Sequence, residues 1–233
     1  MRRLRFKELC NNIRRNISND SYTNVRSTAS SGSKVYDSKR AVHEYLLTHY
    51  GKSNEIMPYE FNEKGAFNFT ERLATLCSKH ARRNGRVLDL GCAVGGSSFH
   101  LTKSFKAVVG IDFSNHFIDA ANIMKNEGKM EYEILKQGQI YTNTIAEIPV
   151  GSNPSKLTFE VGDACNLKTT LGEFDVILCS NLLCRLPSPK KFLNSVGNFL
   201  NASGVVILVS PYSWLEEYTP LNEWIGAKDS IER

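Results

Sequence analysis

The ten residues Val87-Leu-Asp89-Leu-Gly91-Cys92-Ala93-Val-Gly95-Gly96 constrain this chain more than any others. A short apolar run ends in a glycine-rich bend and then passes into residues with helical patterning, the strand–turn–helix unit of an open α/β sheet. Further apolar runs follow at Ala107–Ile111, Leu157–Val161, Phe174–Cys179 and Val205–Val209, separated by amphipathic stretches. Ser114 is placed to cap a helix carrying Phe117, Ala121 and Met124 that stops near Gly128. Ser188-Pro189 opens another helix, with Phe192, Leu193, Val196 and Leu200 on its apolar stripe. Strands alternating with amphipathic helices predict a Rossmann-like, doubly wound, mostly parallel sheet covered on both faces. Residues 130–145 break the rhythm. Two extended pieces flank Lys136-Gln-Gly138, which predicts an inserted hairpin.

Upstream of the first strand, Ala41, Val42, Tyr45, Leu46 and His49 recur at helical spacing between a capping Ser38 and a terminating Gly51. A second helix is expected from Asn68, with Glu71 completing a capping box and Phe69, Leu73, Leu76 and Cys77 facing inward.

The chemistry is carried by two carboxylates. Asp89 stands two residues before the first glycine of the bend, and Asp112 ends the second strand. Glycine lets the main chain approach a ligand closely, and a carboxylate at Asp112 can bind both hydroxyls of a ribose. Scanned as G-x-A-x-x-G, the bend would fit a nicotinamide or flavin site. Asp89 opposes that reading, because it would face a pyrophosphate with like charge. A cationic ligand reverses the sign, and S-adenosylmethionine (SAM) brings both an ammonium and a sulfonium. The cofactor set read this way is Asp89, Gly91, Cys92, Ala93, Gly95, Asp112, Phe113, Asp163, Ala164 and Asn181. Asp163 follows the third strand, where it could accept from an adenine amino group, and Asn181 follows the fourth.

Over residues 68–210 these segments resemble the class I SAM-dependent methyltransferase superfamily, with Ala93 standing where many members have glycine. A narrower resemblance runs over residues 36–226. Tyr45-Leu-Leu-Thr-His-Tyr-Gly51, Glu55-Ile-Met-Pro-Tyr-Glu-Phe61, Leu90-Gly-Cys-Ala-Val-Gly95, Gly162-Asp-Ala-Cys165, Asn181-Leu-Leu-Cys-Arg-Leu-Pro187 and Ser210-Pro-Tyr-Ser-Trp-Leu-Glu-Glu217 are similar to the methyltransferase domain of ovothiol synthase. That resemblance implies N-methylation of the imidazole of a mercaptohistidine, a thiol-bearing small-molecule substrate. Methyl transfer needs no protein nucleophile, so the expected catalytic set is one of positioning groups: Tyr59, Asn181, Arg185 and Tyr212. Glu60 is a further hydrogen-bonding candidate. Arg185 would hold a substrate carboxylate, or else pair with Glu216 or Glu217. Tyr59, Tyr212 and Trp214 would wall the methyl group.

Composition bounds the alternatives. The first 40 residues hold ten Lys/Arg against three Asp/Glu, so of the net charge of +5 the remainder carries −2. A basic tail on a near-neutral body does not make a nucleic-acid surface. Residues 1–35 read as a disordered tail, with a mitochondrial transit peptide as the minor alternative, and residues 36–233 as the methyltransferase domain. No apolar run approaches the ~20 residues of a membrane span, and six cysteines without a C-x-x-C pair point to a reducing, cytoplasmic setting. His43, His49, His80, His100 and His116 are scattered, so neither an iron centre nor any other metal site is expected. The superfamily adds two strands after the fifth. The sequence leaves little room for them, which predicts an uncovered apolar edge at Val205–Val209 through which copies could associate, and an inactive SAM-binding module as the second functional reading.

Overall fold

The computed structural model describes residues 35–57 and 67–226. Helix α1 (Lys39–Tyr50) begins where Ser38 accepts the Ala41 amide and ends at Gly51. One short turn, α2 (Ser53–Ile56), follows. Helix α3 (Phe69–His80) starts at Asn68, but the capping box does not form: Asn68 sits in the left-handed region and its side chain caps nothing.

Strand β1 (Arg86–Leu90), helix α4 (Gly96–Leu101), strand β2 (Ala107–Asp112) and helix α5 (Asn115–Glu127) reproduce the expected alternation. Ser114 caps α5 and Gly128 ends it in a left-handed turn. Strands β3 (Lys129–Gln137) and β4 (Ile140–Glu147) form the inserted antiparallel hairpin, which lies outside the main sheet. Strand β5 (Leu157–Val161), strand β6 (Phe174–Ser180), helix α6 (Pro189–Val196) and strand β7 (Leu200–Val209) complete the domain. Leu200 belongs to β7 and not to the preceding helix. It pairs with Phe174, and the ladder is irregular before it resumes at Val205, so the strand starts earlier than its apolar run suggests.

The five strands of the main sheet run parallel in the order β5-β2-β1-β6-β7. Chain order reverses at β1, whose C-terminal end therefore opens into a crevice, the place where ligands bind in this architecture. β1 is central and buried from Val87 to Leu90. On one face Val87, Val176 and Leu178 pack with α1, α3, α5 and the hairpin. On the other, Leu88, Leu90 and Ile177 pack against Phe192, Leu193 and Val196 of α6. Each such side chain stabilises the fold by about 1.5–3 kcal/mol through burial. Among the described residues β7 has no partner on its outer side, and Leu208 there is partly exposed. No described helix is long and apolar enough to cross a membrane.

Candidate cofactor and acceptor cleft

The bend after β1 is a tightly self-satisfied piece of main chain. Gly91 and Cys92 donate to the carbonyl of Ile111, Ala93 donates to Asp112 Oδ2 at 2.9 Å, Gly95 donates to Cys92, and Gly96 donates to His49 Nδ1 at 3.1 Å. Gly95 is required twice over. Its φ is +86°, and a Cβ there would run into the Phe159 ring packed beneath the bend. Tyr50 adds a further clamp by donating to the Val94 carbonyl at 2.7 Å.

The bend does not turn free amides toward a ligand, since five of its N–H groups are already used inside the protein. A pyrophosphate would find few donors here and a carboxylate beside them, so the geometry disfavours a dinucleotide more strongly than the sequence does.

Asp89 is 3 % exposed and faces the cleft from the middle of the sheet. The Ser98 hydroxyl donates to its Oδ2 at 2.6 Å. Burial pushes its carboxyl up to about 7; the Ser98 bond opposes that shift and the nearby Asp112 adds to it. Asp112 lines the same cleft and is held by two amides, Ala93 on Oδ2 and Ser114 on Oδ1 at 3.0 Å. Burial raises its carboxyl too, against the pull of those backbone bonds. A buried carboxylate and a half-buried one in the same cleft form a site that a cation and a pair of hydroxyls would relieve. The residues fit an adenosyl amino acid.

The cleft encloses about 190 Å³ and gathers most of the sequence-derived set: Asp89, Gly91, Cys92, Ala93, Asp112, Phe113, Asp163, Ala164, Asn181 and Arg185. Gly95 shapes the bend from behind without lining the cleft. Asp163 accepts the Cys165 amide at 2.7 Å, which organises the turn after β5. Asn181 adopts a left-handed conformation (φ 54°) and donates its amide to Val209 at 2.7 Å, tying the ends of β6 and β7 together. Ala93 is left-handed as well, at φ 47°.

Two expected residues stand elsewhere. Tyr212 does not line the cleft; it is 73 % exposed, on a strained left-handed backbone held by a bond from its amide to Ser210 Oγ. Trp214 is 7 % exposed and stacked on Trp224 at 6.2 Å, so it packs the core and does not wall a methyl group. Tyr59 lies outside the described residues, as does Glu60.

In their place the fold supplies aromatics that sequence reasoning missed. Tyr36, Tyr45, Phe117 and Tyr218 line the cleft, with Tyr45 and Phe117 rings 4.6 Å apart and Tyr36 and Tyr218 rings 5.8 Å apart. Arg185 lies over the Tyr218 ring at 4.7 Å, donates from Nε to the Tyr36 hydroxyl at 3.1 Å and anchors on Ser213 through its carbonyl and hydroxyl. These bonds take the place of the expected Glu216 or Glu217 pair. The segment bearing Tyr36 is pinned to the start of α5: Ser114 Oγ lies 3.1 Å from both the Tyr36 carbonyl and Asp37 Oδ1, and His116 Nδ1 lies 2.6 Å from that same Asp37 oxygen. Tyr45 and His49, one helical turn apart on α1, carried the available signal as a pair on one face. Tyr36 and Tyr218 carried none, since each stands alone in its stretch of sequence.

Burial raises the Tyr45 hydroxyl to about 12 and the Tyr218 hydroxyl further, so both remain protonated at neutral pH. They can donate hydrogen bonds and cannot serve as bases. The described cysteines at 77, 92, 165, 179 and 184 are free and buried. Burial raises the thiols of Cys77, Cys92, Cys165 and Cys179, which makes them poor nucleophiles. Among the described residues no three His, Cys, Asp or Glu side chains gather as a metal set would require.

A model of the methyltransferase domain matches residues 60–229, most of the chain. The chain belongs to the methyltransferase domain family. SAM is the cofactor of that class. The chain is 23% identical over 142 residues to norajmaline N-methyltransferase of Rauvolfia serpentina, a stretch covering 61% of this chain and 41% of that protein. Ajmaline N-methyltransferase of the same plant is 23% identical over 53% of this chain and 35% of its own length, so the chain spans well under half of the curated relatives it matches. Among solved structures, a TehB-like SAM-dependent methyltransferase from Corynebacterium glutamicum is 18% identical with a TM-score of 0.47, covering 73% of each chain. An S-adenosylmethionine-dependent methyltransferase from Clostridium acetobutylicum is 20% identical with a TM-score of 0.45, covering 68% of this chain and 55% of that one.

Proposed function

We propose that this domain transfers the methyl group of SAM to a ring nitrogen of a small molecule, and that the acceptor is the imidazole of a thiol-bearing histidine. The observation that carries the cofactor half is the pair of carboxylates, buried Asp89 and half-buried Asp112, in one cleft whose neighbouring amides are already satisfied. Asp89 would hold the ammonium and Asp112 the ribose hydroxyls, with Asp163 near the adenine and Phe113 and Ala164 flanking it. When bound, SAM supplies a methyl group on a sulfonium, already activated for displacement.

The protein's own residues then position the acceptor and exclude water. A neutral imidazole brings its own lone pair, which suits a cleft whose Tyr45 and Tyr218 stay protonated. Arg185 is the cation available to an acceptor carboxylate, and Tyr36, Tyr45, Phe117 and Tyr218 form a flat-sided wall suited to a planar ring. Asn181, on its strained turn, can accept from or donate to the ring and so select the reactive tautomer. Support for a histidine-derived acceptor comes from the segment resemblance to ovothiol synthase, and support for a nitrogen acceptor from the names of the curated relatives.

Incubating the purified chain with SAM and mercaptohistidine, and following the mixture by mass spectrometry, tests this directly. A product heavier than the acceptor by one methyl-for-hydrogen exchange, with fragmentation placing the methyl on the ring, is the expected result. A methyl on sulfur, or SAM bound without turnover on this acceptor, would replace the imidazole assignment.

A further inference from the structure

The amino-acid head of a ligand drawn to Asp89 also carries a carboxylate, and the bend offers that carboxylate little. The amides of Gly91, Cys92, Ala93, Gly95 and Gly96 are all committed within the protein. Arg185 is held by Tyr36, Ser213 and Tyr218 on the side of the cleft assigned above to the acceptor. Some other donor has to face the group.

His49 is on the last turn of α1, lines the cleft and lies directly against the bend. Its Nδ1 accepts from the Gly96 amide, so that nitrogen cannot carry a proton while the bond is made. The remaining proton of a neutral ring is therefore on Nε2, which finds no hydrogen-bond partner among the described residues. The contact is close: a Cβ at Gly96 would press on the His49 ring, so glycine at 96 is what lets the ring sit there. Tyr45 and Tyr50 flank the ring at 5.8 and 6.2 Å and hold it in place.

We propose that His49 is a neutral hydrogen-bond donor of the cofactor site, presenting Nε2–H to the carboxylate at the amino-acid end of SAM. The assignment rests on the SAM reading above and adds a residue to it. Burial supports it by pushing the imidazole down to about 4, which keeps the ring uncharged through the neutral range. Because its other nitrogen is occupied by Gly96, His49 is a donor and not a base for the transfer step.

Calorimetric titration with SAM and with decarboxylated SAM, which keeps the ammonium and loses the carboxylate, separates this role from a structural one. Wild-type protein should prefer SAM by about 10-fold, the order expected for one hydrogen bond to a charged group. His49→Phe should erase that preference by weakening SAM alone, and His49→Gln, which can present an amide N–H, should restore part of it. Nitrogen-15 spectra of the wild-type His49 ring should show the proton on Nε2 and a shift of that proton with SAM that decarboxylated SAM does not produce. This last measurement stands even if His49→Phe fails to fold. Equal affinity of the wild type for the two ligands, equal weakening of both in His49→Phe, or a proton on Nδ1 overturns the inference while leaving the cofactor reading intact. Failure of folded wild-type protein to bind SAM overturns both.

Discussion

The proposed cofactor and acceptor halves of the cleft are built by different means. The cofactor half is made of strand ends and main chain: Asp89 and Asp112 project from adjacent strands, and the bend between them is fixed by its own amides, by Tyr50 and by the Phe159 ring below it. The acceptor half is made of side chains from remote parts of the chain, with Tyr36 before α1, Phe117 on α5, Arg185 after β6 and Tyr218 beyond β7. A site on a sheet edge is set by the register of two strands. A site assembled from loops is set by long-range packing, and its specificity can change without disturbing the fold.

Asp89→Asn strikes the first half hardest. Removing one partner of a buried charge pair costs about 2–5 kcal/mol, so SAM affinity should fall by on the order of 100-fold or more. The unliganded protein should respond in the opposite direction. Asp89 is raised in the fold to about 7 from the ordinary 3.8. The folded state thus keeps a proton that the unfolded chain releases, and stability is lost as pH rises between those values. Above pH 7 the ionised group opposes folding by roughly 4 kcal/mol, at 1.36 kcal/mol for each unit. Asn should recover part of this at pH 8 and little at pH 4, as denaturant melts at the two pH values would show. Loss of stability at both would mean that Asp89 is a structural group.

Arg185→Met addresses the second half. The acceptor KM should rise by about 10–100-fold, the value of a charge-assisted hydrogen bond of ~1.5–3 kcal/mol, while SAM affinity stays within about threefold. Equal damage to both ligands would dissolve the division between the halves.

The division also explains what could be read from the sequence. The strand–bend–helix unit, the five strands, the hairpin and both carboxylates follow from local patterning, because each is decided within about ten residues of chain. Tyr36 and Tyr218 could not be found that way, since nothing near either one marks it as facing a cleft. Tyr212 and Trp214 failed for a related reason. Their position after the last strand fitted a wall, but Trp214 finds a second tryptophan to stack on, and the left-handed turn at 212 sends Tyr212 to solvent. His49 shares the helical spacing of the apolar stripe of α1, which gives no sign of a ligand contact, and that stripe is what delivers it to the bend.

A smaller effect tests the same carboxylate through pH. With Asp89 protonating near 7 in the free protein and held ionised by a cation, SAM affinity should fall by about 10-fold from pH 8 to pH 6. A flat profile would mean that the carboxyl is already ionised below that range. Smallest is Ala93→Gly. Glycine relieves a left-handed alanine, which costs roughly 1–2 kcal/mol, but adds freedom to the unfolded chain of about 0.4–1 kcal/mol. Melting should show a stabilisation between zero and about 1.6 kcal/mol, with SAM affinity within about twofold; a larger change in affinity would make the Ala93 methyl a ligand contact.

The central claim is that the bend and its two carboxylates select a cationic adenosyl amino acid over an anionic dinucleotide. Titrating the folded wild-type chain at pH 8 with SAM and, separately, with NAD⁺ measures that choice. Saturable 1:1 binding of SAM with no detectable heat from NAD⁺ is the expected result. Binding of NAD⁺, with SAM inert, contradicts it.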